Sequence, residues 1–261
     1  MERGHPCPQS ERSALIFFAY RAHAGRDARV PLSRYANLAA AENHFLMAHS
    51  LDLNSWHRRE LFEFFRGYAN PYFNVCTRLD VTMLMGLLRD RPGVSVSLAY
   101  HYFALRIANE IEPFRYRLKD GEVIVHDIIN GGTTVLLPNE TFTYAYFDYH
   151  EDFNKFVTEA AEAIKKVRAE GSLKPTMRYD LIYFTTLPWI SFTSFAHART
   201  PGRGESIPRI AFGKFFNDNG HTLLPISVEV HHALMDGLHV GRFITRMEEA
   251  LLHPENYIKK K

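Results

Sequence analysis

Leu224-Pro225-Ile226-Ser227-Val228-Glu229-Val230-His231-His232, followed by Ala233-Leu234-Met235-Asp236-Gly237, carries the most informative pattern in the chain. Ile226, Val228 and Val230 fall on one face by the two-residue repeat of a β-strand. His232 has the same parity, so the reading places it at the strand's end, pointing to the side that apolar residues bury. Asp236 and Gly237 end the loop and open a helix through Leu238, Phe243, Ile244, Met247 and Leu251. A histidine in a dry place is a good general base. Its ordinary pKa lies near 6.5, and burial disfavours the charged ring, so the ring stays free to take a proton at neutral pH. Taken alone, one such histidine is more often an ordinary core residue. A metal reading of His231, His232, Asp236 and His239 meets no common ligand spacing.

Outward from this stretch the chain alternates strands and helices. Arg59 to Tyr68 carries Leu61, Phe62 and Phe65 at helical spacing, and Phe73, Val75, Thr77 and Leu79 alternate as in a strand. Asp80 is placed to cap a helix through Leu84, Leu87 and Leu88, and Val96 to Ile111 reads as another helix, broken before Pro113. Arg115 to Leu118, Lys119-Asp120-Gly121 and Glu122 to His126 read as a β-hairpin with a glycine turn. Thr133 to Leu137 and Glu140 to Tyr146 suggest strands, and Asp152 to Ala169 is an amphipathic helix. Leu181 to Thr186, Trp189 to Phe195, Ile210 to Phe215 and Leu223 to His231 are expected strands. This order implies one α/β domain, a two-layer sandwich with a large mixed β-sheet.

The composition restricts function. The chain has 261 residues, 46% of them apolar, enough for a sizeable core. Its formal net charge of +2 and the lack of a basic block give no argument for a nucleic-acid surface. No apolar run approaches a membrane span. Leu15 to Tyr20 is too short for the apolar region of a signal peptide. The two cysteines, Cys7 and Cys76, offer neither a disulfide framework nor a metal pattern, which makes a reducing, cytoplasmic compartment the default. Residues 1–46 have only arginine as basic residue and no sustained period. They read either as a poorly ordered extension or as the product of an upstream start codon, with Met47 the true beginning. The functional domain is therefore expected over residues 47–261.

His231-His232-Ala233-Leu234-Met235-Asp236-Gly237-Leu238-His239-Val240-Gly241-Arg242-Phe243 resembles the signature of the trimeric, CoA-dependent chloramphenicol acetyltransferases. The shorter His-x-x-x-Asp-Gly core is also shared by lipoyl-domain acyltransferases and peptide-synthetase condensation domains. Further segments resemble the narrower family in the same order: Trp56 to Phe65, Phe114-Arg115 through Glu122, Glu140-Thr141-Phe142 before Tyr149 to Phe153, and Leu187 to Phe195. The similarity covers roughly Leu51 to Leu252.

The resemblance implies an O-acetyltransferase that moves an acetyl group from acetyl-CoA, a co-substrate rather than a bound cofactor, to a small-molecule hydroxyl, with chloramphenicol the leading acceptor. It implies His232 as general base and Ser194 as donor to the tetrahedral oxyanion. It implies a structural Asp236 paired with Arg58. Phe142 and Phe65 would line the acceptor pocket, while Lys214 and Phe215 would lie on the CoA side. It implies no metal and a homotrimer with active sites between subunits. An enzyme that modifies this drug implies antibiotic resistance.

Several positions depart from the family pattern. Ala211 stands where the family often has a threonine, Phe65 where it has a tyrosine, and Phe215 where another tyrosine is found. The lysine expected near Val94-Ser95-Val96-Ser97 is absent, with Arg89 and Arg91 just upstream, and the Ala196–Pro208 loop also differs. These changes fall on the acceptor pocket and the cofactor channel. They keep open the same chemistry on another small alcohol or sugar. A dihydrolipoyl acyltransferase core is disfavoured, because residues 1–46 are too few for lipoyl and partner-binding modules. A non-catalytic binding protein of the same fold is the alternative of another class.

Overall fold

The computed structural model describes residues 48–199 and 205–258. The expectations for residues 1–46 lie outside the described residues. In chain order the elements are β1 (Ala48–Ser50), α1 (Arg59–Arg66), β2 (Tyr72–Asp80), α2 (Thr82–Arg89), α3 (Val96–Glu110), β3 (Tyr116–Lys119), β4 (Glu122–His126), β5 (Asn130–Leu136), β6 (Phe142–Phe147), α4 (Phe153–Glu170), β7 (Leu181–Thr186), β8 (Arg209–Phe212), β9 (Phe216–Asp218), β10 (His221–His231) and α5 (Gly237–Leu252).

Seven strands form one mixed sheet in the order β2-β10-β8-β7-β5-β6, with β9 also paired to β10. The β5–β7 and β7–β8 pairings are parallel and the others antiparallel. Helices α3, α4 and α5 bury Phe103, Phe156 and Phe243 against one face, where Ile226, Val228 and Val230 of β10 meet them. This is the two-layer α/β sandwich that the alternation of elements implies. From Leu224 to His231 every residue of β10 is buried. The strand is therefore covered on both faces, and the two-residue repeat marks the helix side rather than a boundary between core and solvent.

A second, smaller core lies under the loop after β10. The sheet β1-β4-β3 supplies Tyr116, Val123 and Val125, which pack with Trp56, with Phe62 of α1, and with Ala233 and Leu234 of the loop itself. Burying a side chain such as Phe62 contributes about 2–3 kcal/mol. The β3–β4 turn places Asp120 and Gly121 at φ of 50° and 86°, as the glycine turn requires. Asp152 caps α4 by accepting from the Lys155 N–H at 2.7 Å.

Two expected strands differ. Ile210–Phe215 is broken: β8 ends at Phe212 and β9 begins at Phe216. The break lies opposite Pro225, which has no N–H to donate to a neighbouring strand, while its carbonyl accepts from Gly213 N at 2.9 Å. Trp189–Phe195 is not a strand either. It is tied instead to the end of β8 and the break after it: Leu187 N donates to Phe212 O at 2.8 Å, and Ile190 O accepts from Lys214 N at 2.8 Å. Its β-forming residues do not enter the core, since Trp189 and Ile190 are exposed. Gly213 permits this crossing, because a Cβ there would lie 2.9 Å from Ile190 O.

Candidate active site

The loop from His231 to Gly237 is held from both sides. Its backbone begins where β10 ends, and His232 N donates to Pro71 O, just before β2, at 2.7 Å. Below, Ala233 and Leu234 are buried in the small core. At the far end Asp236 precedes α5, and its N–H donates to His239 Nδ1 at 2.9 Å. Arg58, directly before α1 and almost fully buried, donates to both carboxylate oxygens of Asp236, with Nη2 3.1 Å from Oδ1. The same Nη2 donates to His232 O at 3.2 Å. One guanidinium thus fixes both ends of the loop.

The His232 ring lies flat against Phe65, with centroids 3.9 Å apart and planes 9° apart, and Phe73 packs on it at 4.8 Å. Its Nδ1 is buried and lies 3.3 Å from Asp236 Oδ1, near enough for attraction but off the hydrogen-bonding direction. One third of the side chain is exposed. The ring therefore lies on the side that strand parity indicates, against Phe73, which faces Val230 and packs on the main core, but at its margin. It leaves the strand at the sheet's end, with Nδ1 covered and Nε2 as the nitrogen to offer a substrate. The neighbouring His231 is the buried one, and loss of water pushes its pKa down to about 4.

The structure brings Arg58, Asp236, His232 and Phe65 together. Ser194 is exposed, with no hydrogen bond among the described residues. Phe142 begins β6, the edge strand at the opposite end of the sheet from β2 and β10, and is half exposed. Four strand spacings put it about 19 Å across the sheet from β10. Lys214 and Phe215 are exposed in the β8–β9 break, where the backbone of Lys214 meets Ile190. Ala211 is buried in β8 opposite Ser227. Among the described residues no group of three or more His, Cys, Asp or Glu could hold a metal.

Sequence reasoning missed the supports: Pro71, whose carbonyl holds the His232 N–H, and His239, which caps Asp236. The spacing of His239, three residues after the N-cap, was the available signal.

The model of the chloramphenicol acetyltransferase family matches residues 46–248, which span all of these groups. The chain belongs to the chloramphenicol acetyltransferase family. A chloramphenicol acetyltransferase of Proteus mirabilis is 30% identical over 201 residues, covering 76% of this chain and 92% of that protein. The chloramphenicol acetyltransferase 2 of Escherichia coli is 31% identical over 201 residues, covering 76% and 94%. A solved chloramphenicol acetyltransferase superposes with a TM-score of 0.70 at 30% identity, covering 78% of this chain and all of the other. A dihydrolipoamide acetyltransferase of Azotobacter vinelandii, at 16% identity and a TM-score of 0.57 over 98% of this chain and 99% of that one, shares the fold. Within the chloramphenicol acetyltransferase family, this chain's loop is supported by the Arg58–Asp236 pair and the Phe65–His232 stack.

Proposed function

We propose that this chain transfers an acetyl group from acetyl-CoA to a hydroxyl of chloramphenicol, with His232 as general base. The observation that carries this reading is the held imidazole: one nitrogen covered, the ring stacked on Phe65, and the loop clamped by Arg58. In this mechanism Nε2 takes the hydroxyl proton as the oxygen attacks the thioester carbonyl. The C–O bond forms while the carbonyl electrons move onto oxygen, and the Ser194 hydroxyl donates to that oxyanion. Collapse breaks the C–S bond, and the thiolate leaves with the proton that His232 returns. Asp236 and Arg58 hold the loop and move no proton.

Phe142 belongs to the acceptor pocket in this reading, yet it sits at the far edge of the sheet from His232. A second copy must then bring it to the site, which supports a homotrimer with shared active sites. The exposed Trp189, Ile190 and Phe64 suit such an assembly. Lys214 and Phe215, exposed beside the Leu187–Phe195 segment, are assigned to the CoA side. Cytoplasmic acetyl-CoA would supply the acyl group, and acetylation of the drug would give resistance. Among the described residues no helix is long and apolar enough to cross a membrane.

A second reading keeps the chemistry and changes the acceptor to another small alcohol or sugar. It is favoured by Phe65 and Ala211, neither of which has a hydroxyl to offer an acceptor.

The test is thiol release from acetyl-CoA by purified protein, with and without chloramphenicol, beside a His232→Ala variant. Release that needs both the drug and His232 is expected. Release with a sugar or simple alcohol but not with chloramphenicol would replace the acceptor. Release that persists in His232→Ala would remove the general-base assignment.

A further inference from the structure

The sheet face opposite the helices carries a charged pair that the reaction as derived does not use. Arg199 Nε donates to Glu229 Oε1 at 2.6 Å, with side-chain exposures of 12% and 8%. The guanidinium also lies over the Tyr72 ring, 3.6 Å from its centroid. Both Nη1 and Nη2 are buried without a hydrogen-bond partner. The neighbouring rings of His197 and His231 supply no charge at neutral pH, since burial pushes both down to about 4.

A buried ion pair with unmade donors is a poor stabiliser. Desolvation opposes it, and apolar residues of similar volume often do as well. Its connections suggest another use. Tyr72, under the guanidinium, meets the ring of His231 edge-on at 5.2 Å and donates from its hydroxyl to Glu205 O. Tyr72 directly follows Pro71, whose carbonyl holds His232 N. Glu229 lies three residues before His232 on the strand that delivers it. Arg199 follows Ser194 by five residues in the same segment, and Asn74 Nδ2 ties that segment to β2 through Phe195 O. One side chain therefore touches both strands that present the imidazole and belongs to the segment after Ser194.

We infer that Arg199 and Glu229 are a positioning pair that registers the ends of β2 and β10 and so sets the orientation of the His232 imidazole. Neither residue touches substrate. The inference rests on His232 being the base, as proposed above.

The decisive variant is Arg199→Met combined with Glu229→Gln, which removes the pair without leaving a lone buried charge. The double variant should fold with a melting temperature close to wild type. Its kcat should fall about tenfold or more, because small misplacement of a catalytic group is costly, with KM for both substrates within about twofold. Arg199→Lys should not rescue kcat, since an ammonium lacks the planar group that lies on Tyr72. Unchanged kcat in a folded double variant would overturn the inference, as would KM effects without kcat effects.

A second readout does not need acetyl transfer. The ring signals of His232 in a nitrogen–proton NMR spectrum, identified by their loss in His232→Ala, should shift in the double variant while those of His101 stay in place. Unmoved His232 signals would overturn the positioning role. A wild-type protein without thiol release but with these shifts would remove the proposed function and leave the pair's effect on His232 standing.

Discussion

The imidazole of His232 and the phenyl ring of Phe65 lie face to face, 3.9 Å apart. This contact joins α1 to the loop after β10 through two side chains distant in sequence. Aromatic contacts of this kind contribute about 0.5–1.5 kcal/mol beyond burial. Here the geometry restrains a ring whose direction governs proton transfer in the proposed mechanism. Phe65→Leu should keep the fold and lower kcat about three- to tenfold. Phe65→Tyr keeps the stack and should stay near wild type. Steady-state kinetics at saturating acetyl-CoA would check this, and equal rates for Leu and Phe would show that the stack does not orient the base.

Arg58 and Asp236 should behave as a coupled pair in stability as well as activity. Removing Arg58 frees a carboxylate that is one-third exposed, so the loss is smaller than for a fully buried pair. Arg58→Met should cost about 2–3 kcal/mol in denaturant unfolding, and Arg58→Met with Asp236→Asn should cost less than the sum of the singles. Arg58 also holds His232 O, so Arg58→Met should lose more activity than Asp236→Asn. Strict additivity in the cycle would contradict this coupling.

Much of this arrangement was legible in the sequence. The two-residue repeat through Ile226, Val228 and Val230 marked the face of β10 that meets the helices, and Lys119-Asp120-Gly121 marked the hairpin turn. Misreadings arose where a local pattern met a tertiary cause. Trp189 to Phe195 has strand-forming residues, yet Ile190 is bonded to the backbone of Lys214 and its side chain faces outward. Pro225 interrupts β8 and β9 from the neighbouring strand, which reading residues 210–215 alone could not reveal. His232 follows the strand by one residue and keeps its side, against Phe73, but the end of the sheet leaves it one-third exposed. Arg199 and Glu229 are thirty residues apart with no motif between them, and only the pairing of chain segments brings them together.

His101 gives a prediction about acid stability. Its ring is buried among Phe184, Phe212 and Tyr100, and neither nitrogen has a hydrogen-bond partner. Burial pushes its pKa from 6.5 down to about 3. The unfolded chain therefore binds a proton below about pH 6.5 that the folded chain refuses. The contribution is complete above that pH and is lost as pH falls towards 3. Between pH 8 and pH 5 this amounts to about 2 kcal/mol. His101→Phe retains the ring packing and should reduce the difference in unfolding free energy between these two pH values by about that amount. An unchanged difference would mean that the acid sensitivity resides in other groups.

Ser194 separates stability from catalysis most cleanly. Its side chain is exposed and makes no hydrogen bond among the described residues, so no polar contact among them depends on its hydroxyl. A mere surface serine would be replaceable without consequence. If its hydroxyl meets the oxyanion, the contact exists only when substrate carbon is tetrahedral, and its loss appears in kcat rather than in binding. Ser194→Ala should therefore melt within about 1 °C of wild type, since surface changes of this kind alter stability little, and should lose about 10²- to 10³-fold in kcat. KM for acetyl-CoA should stay nearly constant, because the ground-state thioester makes little use of that donor. A variant with full kcat would assign oxyanion stabilisation to another donor and return Ser194 to an ordinary surface position.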